Sequence, residues 1–281
     1  LQRTVKAALD KAQLKKQRLE EDLLRARNSQ KYRLYGELIT ANLHNIKQGS
    51  ETAQVINYYT NEPVTIPLSP KLSPSRNAQH YFKKYSKAHT AIHEKQSQLD
   101  ETDSDIQYLN SVLLNIQRAD SEEQLDQIRE ELTETGYVRA RKKAGIKRPK
   151  AKMAPLKYHL SSGETILVGR NNKENDWLTM KHASKNDLWF HTKDIPGSHV
   201  ILPLEPGQTA DDVPAETIYA AASAAAWHSK ARESENVAVD FVPVRHVKKP
   251  AGAKPGMVIF THNTTVYVNP KLPDTTNTKA D

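Results

Sequence analysis

Asp187-Leu188-Trp189-Phe190-His191-Thr192-Lys193-Asp194-Ile195-Pro196-Gly197-Ser198-His199-Val200-Ile201-Leu202 is the stretch on which the fold turns. Two apolar, β-prone runs, Leu188-Trp189-Phe190 and Val200-Ile201-Leu202, flank a polar turn built on Pro196 and Gly197. That pattern reads as strand, turn, strand. Asp176, Trp177 and Leu178 stand just upstream, and His182 joins His191 and His199. The turn carries more polar groups than a hairpin needs. Lys193, Asp194, Ser198 and His199 crowd one edge of a sheet, where binding residues usually sit.

Outward from this stretch the pattern stays strand-like. Gly163-Glu164-Thr165-Ile166-Leu167-Val168-Gly169 leaves a turn as a short strand, and Asn171 to Asn175 form a polar connection. Residues 214–232 read as a helix whose Ala221, Ala222, Ala225 and Ala226 form a small-residue face that lies close on a sheet. Val237-Ala238-Val239-Asp240-Phe241-Val242 is a further strand. Met257-Val258-Ile259-Phe260 and Thr265-Val266-Tyr267-Val268, joined through His262 and Asn263, read as a terminal hairpin. Strands with one inserted main helix predict a compact, mainly antiparallel α+β domain over residues 153–270. Residues 271–281 are polar and expected to be disordered.

Residues 1–138 have another character. Val5, Leu9, Leu19, Leu23, Leu34, Leu38, Ile39, Leu43 and Ile46 form a narrow apolar stripe among Lys, Arg, Glu and Gln, as in a coiled-coil seam. The spacing predicts one helix over residues 1–48, roughly 70 Å long and ended by Gly49 with Ser50. Ser73-Pro74 looks like an N-cap with Pro at the first helical position, opening a second long helix. The simplest packing is a long antiparallel coiled-coil arm with residues 49–72 as its tip. In that tip Val64-Thr65-Ile66-Pro67 can pair with Val55-Ile56-Asn57-Tyr58. Tyr81, Phe82 and Tyr85 read as core where the second helix leaves it. Ser121-Glu122-Glu123-Gln124 fits a capping box for a third helix closed at Gly136.

Charge separates the two parts. The chain has 41 Lys and Arg against 33 Asp and Glu, a formal net charge of +8. Eight cations and no acid lie within residues 139–152, so this linker carries the whole excess. Such a run favours phosphate-rich partners, here through Lys142, Lys143, Lys147 and Arg148. The plainer reading is a solvated linker, since Gly145 and Pro149 make a poor helix. A second basic segment, residues 245–256, has Arg245, Lys248, Lys249 and Lys254, two prolines, two glycines and no acid. Beside Trp189, His191 and Lys193 it would offer aromatics interleaved with cations, one way to hold unpaired bases.

Other classes find little support. The chain has no cysteine, which excludes disulfides and thiolate metal sites. No apolar run approaches the roughly 20 residues that cross a bilayer. The histidine spacings match no metal motif, Ser184 lies on no nucleophile elbow, and no glycine-rich phosphate loop is present. The expectation is a binding module, not an enzyme, with no catalytic residue, metal or cofactor. A chain opening at Leu1, inside a helical pattern, reads as a fragment of a longer one.

Residues 153–270 resemble the RNA-binding module of the NFACT family. The run Asp187-Leu188-Trp189-Phe190-His191, followed by Asp194-Ile195-Pro196-Gly197-Ser198-His199-Val200, carries the resemblance. Leu68-Ser69-Pro70-Lys71-Leu72-Ser73-Pro74-Ser75, with Asn77-Ala78-Gln79 and Tyr81-Phe82-Lys83-Lys84-Tyr85, is similar to the family's middle segment. The resemblance implies a cytoplasmic ribosome quality control factor. Such a factor binds a large ribosomal subunit and tRNA, and supports template-free tailing of stalled nascent chains. The phosphate contacts expected are Lys142, Lys143, Lys147, Arg148, Arg245, Lys248, Lys249 and Lys254. Trp189, His191, Lys193 and His199 are expected to form the motif face. Some members are also described as surface adhesins for fibronectin or fibrinogen, which is the rival reading. A third reading is a structural coiled-coil spacer with inert basic segments.

Overall fold

Apolar spacing and the residues that interrupt it determine the helices. The computed structural model describes residues 1–27, 29–139 and 153–273. The chain divides into two compact units, Lys11–Ser104 and Leu1–Asp10 with Asp105–Asp281. Helices α1 (Gln2–Arg27) and α3 (Pro74–Arg118) run through both.

Within Lys11–Ser104, the single helix expected over residues 1–48 is instead α1 followed by α2 (Gln30–Ala41). The break falls at Ser29, which is buried. Its N–H donates to Ala26 O at 2.9 Å and its carbonyl accepts from Tyr32 N–H at 2.8 Å, so the turns here close over three residues. The Ser29 side chain makes no cap bond, and the apolar stripe does not register the break. Asn42 then stops α2, its Nδ2 donating to Leu38 O at 2.9 Å. The 45-residue helix is α3, about 68 Å long. Lys16 pairs with Asp103 at 2.8 Å, and Lys95 pairs with Asp22. Rising numbers on α1 meet falling numbers on α3, so the two are antiparallel.

The tip is a hairpin of β1 (Thr52–Asn57) and β2 (Glu62–Pro67); residues 64–67 pair with 52–55 rather than with 55–58, so Val55 stands opposite Val64. Ala53, Val55 and Ile66 pack with Leu38, Ile39, Ala78 and Tyr81. The side chain of buried Asn77 ties down the entry to α3. Its Oδ1 accepts from Ser69 N–H at 2.8 Å and its Nδ2 donates to Ser69 O and Leu72 O. Ser73 caps α3, accepting from Arg76 N–H at 3.3 Å.

In the other unit, α4 (Glu122–Glu134) is capped by Ser121, whose Oγ accepts from Gln124 N–H at 3.3 Å. Gly136, at φ +82°, closes it, with Tyr137 N–H reaching Leu132 O at 2.9 Å. A six-stranded sheet follows, built from β3 (Leu156–His159), β4 (Thr165–Val168), β5 (Leu188–Thr192), β6 (Val200–Leu202), β7 (Val237–Pro243) and β10 (Thr264–Val268). The order is β10-β7-β5-β6-β4-β3, every pairing antiparallel. β5 sits inside the sheet, which is why Leu188, Trp189 and Phe190 are apolar without alternation. Leu188 and Phe190 face α6 (Ala215–Trp227), whose Ala221, Ala222, Ala224, Ala225 and Ala226 are all buried against them. Trp189 joins Leu167, Ile201 and Val242 on the opposite face.

Two details depart from the sequence pattern. The polar connection after β4 is a short helix, α5 (Asn172–Trp177), capped by Asn171 and continued by a π-helical turn, Leu178–His182. The expected terminal hairpin does not form. β9 (Ile259–Phe260) pairs with β8 (Val247–Lys248), while β10 pairs with β7. β7 offers a five-residue register to β10, from Val268 opposite Val237 to Thr264 opposite Phe241, and this long-range pairing outcompetes the local one.

Candidate nucleic-acid interface

Residues 245–256 cross the sheet face opposite α6 and are held there by two carboxylates, Asp176 and Asp105. Asp176, at the end of α5, accepts from Gly256 N–H through Oδ1 at 3.0 Å and pairs with the Lys249 ammonium through Oδ2. Gly256, at φ +78°, sits so close to Asn172 that a Cβ would lie 2.7 Å from its Oδ1. The basic segment is therefore a stapled loop.

The staple sorts its four cations into two kinds. Lys249 is taken up by Asp176. Lys254 pairs with Asp105, donates to Tyr137 Oη at 2.6 Å and lies over the Tyr108 and Tyr137 rings, 5.2 and 4.8 Å from their centroids. Burial works against its charge, but the bonds to Asp105 and Tyr137 outweigh that and hold its pKa above the ordinary lysine value. Arg245 and Lys248 are exposed. Arg245 donates to neutral groups, Asn186 Oδ1 at 2.8 Å and His246 Nε2 at 3.2 Å, and among the described residues no acid pairs with it. Lys185 is exposed beside it, its carbonyl accepting from Arg245 N–H at 2.9 Å. This corner presents cations outward.

The aromatic residues are placed otherwise than a stacking surface requires. Trp189 and His199 are each 1 % exposed, so neither ring can lie against a base. Trp189 stacks on His191 with centroids 5.7 Å apart, meets His199 edge-on at 5.2 Å and touches Phe260 at 4.9 Å. His199 Nδ1 is hydrogen-bonded to Thr179 Oγ1 at 2.7 Å, and its backbone N–H donates to Asn175 Oδ1 at 3.0 Å. Burial, reinforced by His191, pushes His199 down to about 3, so it is neutral at physiological pH and offers a phosphate no charge. Burial also lowers His191, which only partly reaches the surface. These rings form the floor that supports the loop. Lys193 is exposed at the β5–β6 turn, where Asp194 takes φ +55°.

Lys142, Lys143, Lys147 and Arg148 lie outside the described residues. The role of Asp176 is invisible in the sequence, because nothing local marks an acid whose partner is 73 residues away. A polar seam within the same unit is equally silent there. Asn171 Nδ2 donates to Gln127 Oε1 at 2.7 Å, and Asn172 Nδ2 donates to Ser111 Oγ and Glu131 Oε1, each at 3.0 Å. Tyr108 Oη donates to Glu131 Oε1 at 2.9 Å. Among the described residues, no group of three His, Asp or Glu could hold a metal ion, and no helix is long and apolar enough to cross a membrane.

Comparison with known proteins adds lineage to this geometry. Residues 1–151 match the family model described as NFACT N-terminal and middle domains, and residues 155–262 match the NFACT protein RNA binding domain. A Bacillus subtilis protein described as Rqc2 homolog RqcH is 44 % identical over 257 residues, covering 90 % of this chain and 44 % of its own length. Its namesake from Streptococcus pneumoniae is 41 % identical over 272 residues, covering 95 % of this chain and 47 % of its own. The chain thus spans about half the length of these curated relatives. The solved C-terminal part of the fibronectin/fibrinogen-binding protein from Streptococcus suis is similar with a TM-score of 0.73 and 36 % identity. That match covers 96 % of this chain and 93 % of that one.

Proposed function

The chain belongs to the NFACT family, and on that premise we propose that it is part of a ribosome quality control factor that binds the large ribosomal subunit through rRNA phosphates. In this reading it also contacts tRNA and supports template-free tailing of stalled nascent chains in the cytoplasm. It acts by binding and carries out no covalent step. The observation that carries the reading is the outward pair Arg245 and Lys248, paired with no acid among the described residues, on a loop stapled by Asp176 within a segment that matches an RNA-binding domain. Fixed cations release condensed counterions on meeting a phosphate backbone without a large ordering penalty.

The test is co-sedimentation of the chain with purified large ribosomal subunits across a salt series, with immobilised fibronectin run alongside. Saturable binding that weakens steeply with salt is the expected result. A second reading takes its support from the fibronectin/fibrinogen-binding protein of similar fold. Saturable fibronectin binding at physiological salt, with no binding to the subunit, would replace the first reading with that one.

A further inference from the structure

We infer that a groove at the β3 edge of the sheet is a site for an unpaired nucleobase with its phosphate, a proposal that rests on the RNA-binding reading above. The groove, of about 410 Å³, is lined by Met153, Pro155, Lys157, Thr165, Trp177 and His182 among others, with no acid in its lining. Its shape originates in the π-helical turn Leu178–His182, closed by Ala183 N–H to Leu178 O at 2.8 Å. In an α-helix, residues five apart point about 140° away from one another. The widened turn instead brings His182 over Trp177, their rings stacked at 4.7 Å and 18°. π-helical turns are uncommon and concentrate at functional sites.

The chemistry on the two sides is complementary to a nucleotide. His182 is exposed while Trp177 beneath it packs on the sheet's apolar face, so the pair is anchored from below and open above. Lys157 is exposed, lies opposite Leu167 in the β3–β4 register and lines the groove. A base extends the Trp177–His182 stack, and Lys157 neutralises the adjoining phosphate. Trp177 packs against the apolar cluster that includes Val247 and Phe260. The groove therefore shares its sheet face with the loop that presents Arg245 and Lys248, and one strand of RNA can meet both.

The experiment measures binding of the full chain to a short labelled oligoribonucleotide without secondary structure and to a blunt-ended RNA duplex of equal length. The variants are His182→Ala, Lys157→Ala and the two combined. Both residues are exposed, so the fold is expected to survive, with Tm as the check. The double variant is expected to lose about tenfold in affinity for the unpaired strand (about 1.4 kcal/mol). It should keep its affinity for the duplex and for large subunits. Equal losses for both RNAs would reduce the groove to a generic basic patch, and an unchanged affinity would remove it as a site; either overturns the inference. A wild-type chain that binds subunits but not the unpaired strand overturns it too, leaving the ribosomal reading intact. Failure to bind subunits at all strikes that reading instead.

Discussion

Arg245, Lys248, Lys249 and Lys254 are indistinguishable in the sequence, where all four are cations in one acid-free loop. What separates them is Asp176 and Asp105, 73 residues from Lys249 and 149 from Lys254. Pairing at such separation leaves no local trace, so the charge run is legible and its division is not. The division predicts different losses. Replacing Arg245 and Lys248 together by Ala should weaken RNA binding and flatten the log-affinity against log-salt slope by about 0.7 to 0.9 for each phosphate no longer neutralised. Replacing Lys254 by Ala should leave the slope nearly as it was and lower the unfolding free energy by about 1–2 kcal/mol, since Asp105 and Tyr137 lose their shared partner. Salt titrations and denaturation curves on the two variants decide it, and a Lys254→Ala protein with wild-type stability but a flattened slope would reverse the assignment. The same reasoning covers Trp189 and His199. Their residue types suggest a stacking face, but an inner strand buries both sides of its pleat, and burial of β5 cannot be read without knowing its neighbours.

Elements whose signals are local are legible in the sequence, and those chosen by competition are not. Ser121, Ser73-Pro74 and Gly136 each act within one helical turn, and each stands at the helix end its spacing predicts. The break at Ser29 and the pairing of β10 with β7 depend on what packs or pairs elsewhere, so periodicity misplaces both. Cap strength can be measured directly. Ser121→Ala removes the acceptor for Gln124 N–H and should cost about 1 kcal/mol of stability, read from urea midpoints. Asp176 holds the middle and the end of the loop, and Asp176→Asn tests its share. The amide keeps an acceptor for Gly256 N–H but loses the charge that holds Lys249. Faster amide exchange across residues 249–256, with the sheet strands still protected, is the expected pattern. Unchanged exchange in the loop would mean that the Lys254–Asp105 pair and packing on Asn172 fix it without Asp176.

The whole molecule is a set of buried polar groups whose protonation the fold has altered, and this yields its pH dependence. His199 and His228 are both pushed down to about 3, chiefly by burial. His228 lies beside the Arg118 guanidinium, which pairs with its Nδ1, while its Nε2 meets Tyr158 Oη at 3.0 Å; Arg232 adds a further positive charge. Neither can charge in the fold near neutral pH, whereas the unfolded chain charges them below about pH 6.5. Each therefore removes stability as pH falls, by up to about 1.4 kcal/mol per pH unit. Glu131 works in the opposite sense. Burial raises it to about 7, against the hydrogen bonds from Asn172 and Tyr108 that favour its charge. Its contribution is fully present below its ordinary value of 4.5 and is lost as pH rises through 7. His191, which burial also lowers, acts in the same sense as these two histidines, so together they outweigh Glu131 and net stability should fall on acidification below about pH 6.5. Glu131→Gln isolates the smaller effect. The carboxamide keeps an oxygen for Tyr108 and Asn172 but cannot ionise. The variant should be more stable than the wild type above about pH 7, by at most about 3 kcal/mol, and should converge with it near pH 4.5. Denaturant midpoints measured across that range would show the two curves closing together as acid is added. Curves that stay parallel would mean that Glu131 titrates as an ordinary carboxylate, and that the seam joining Asn172 to Glu131 admits water.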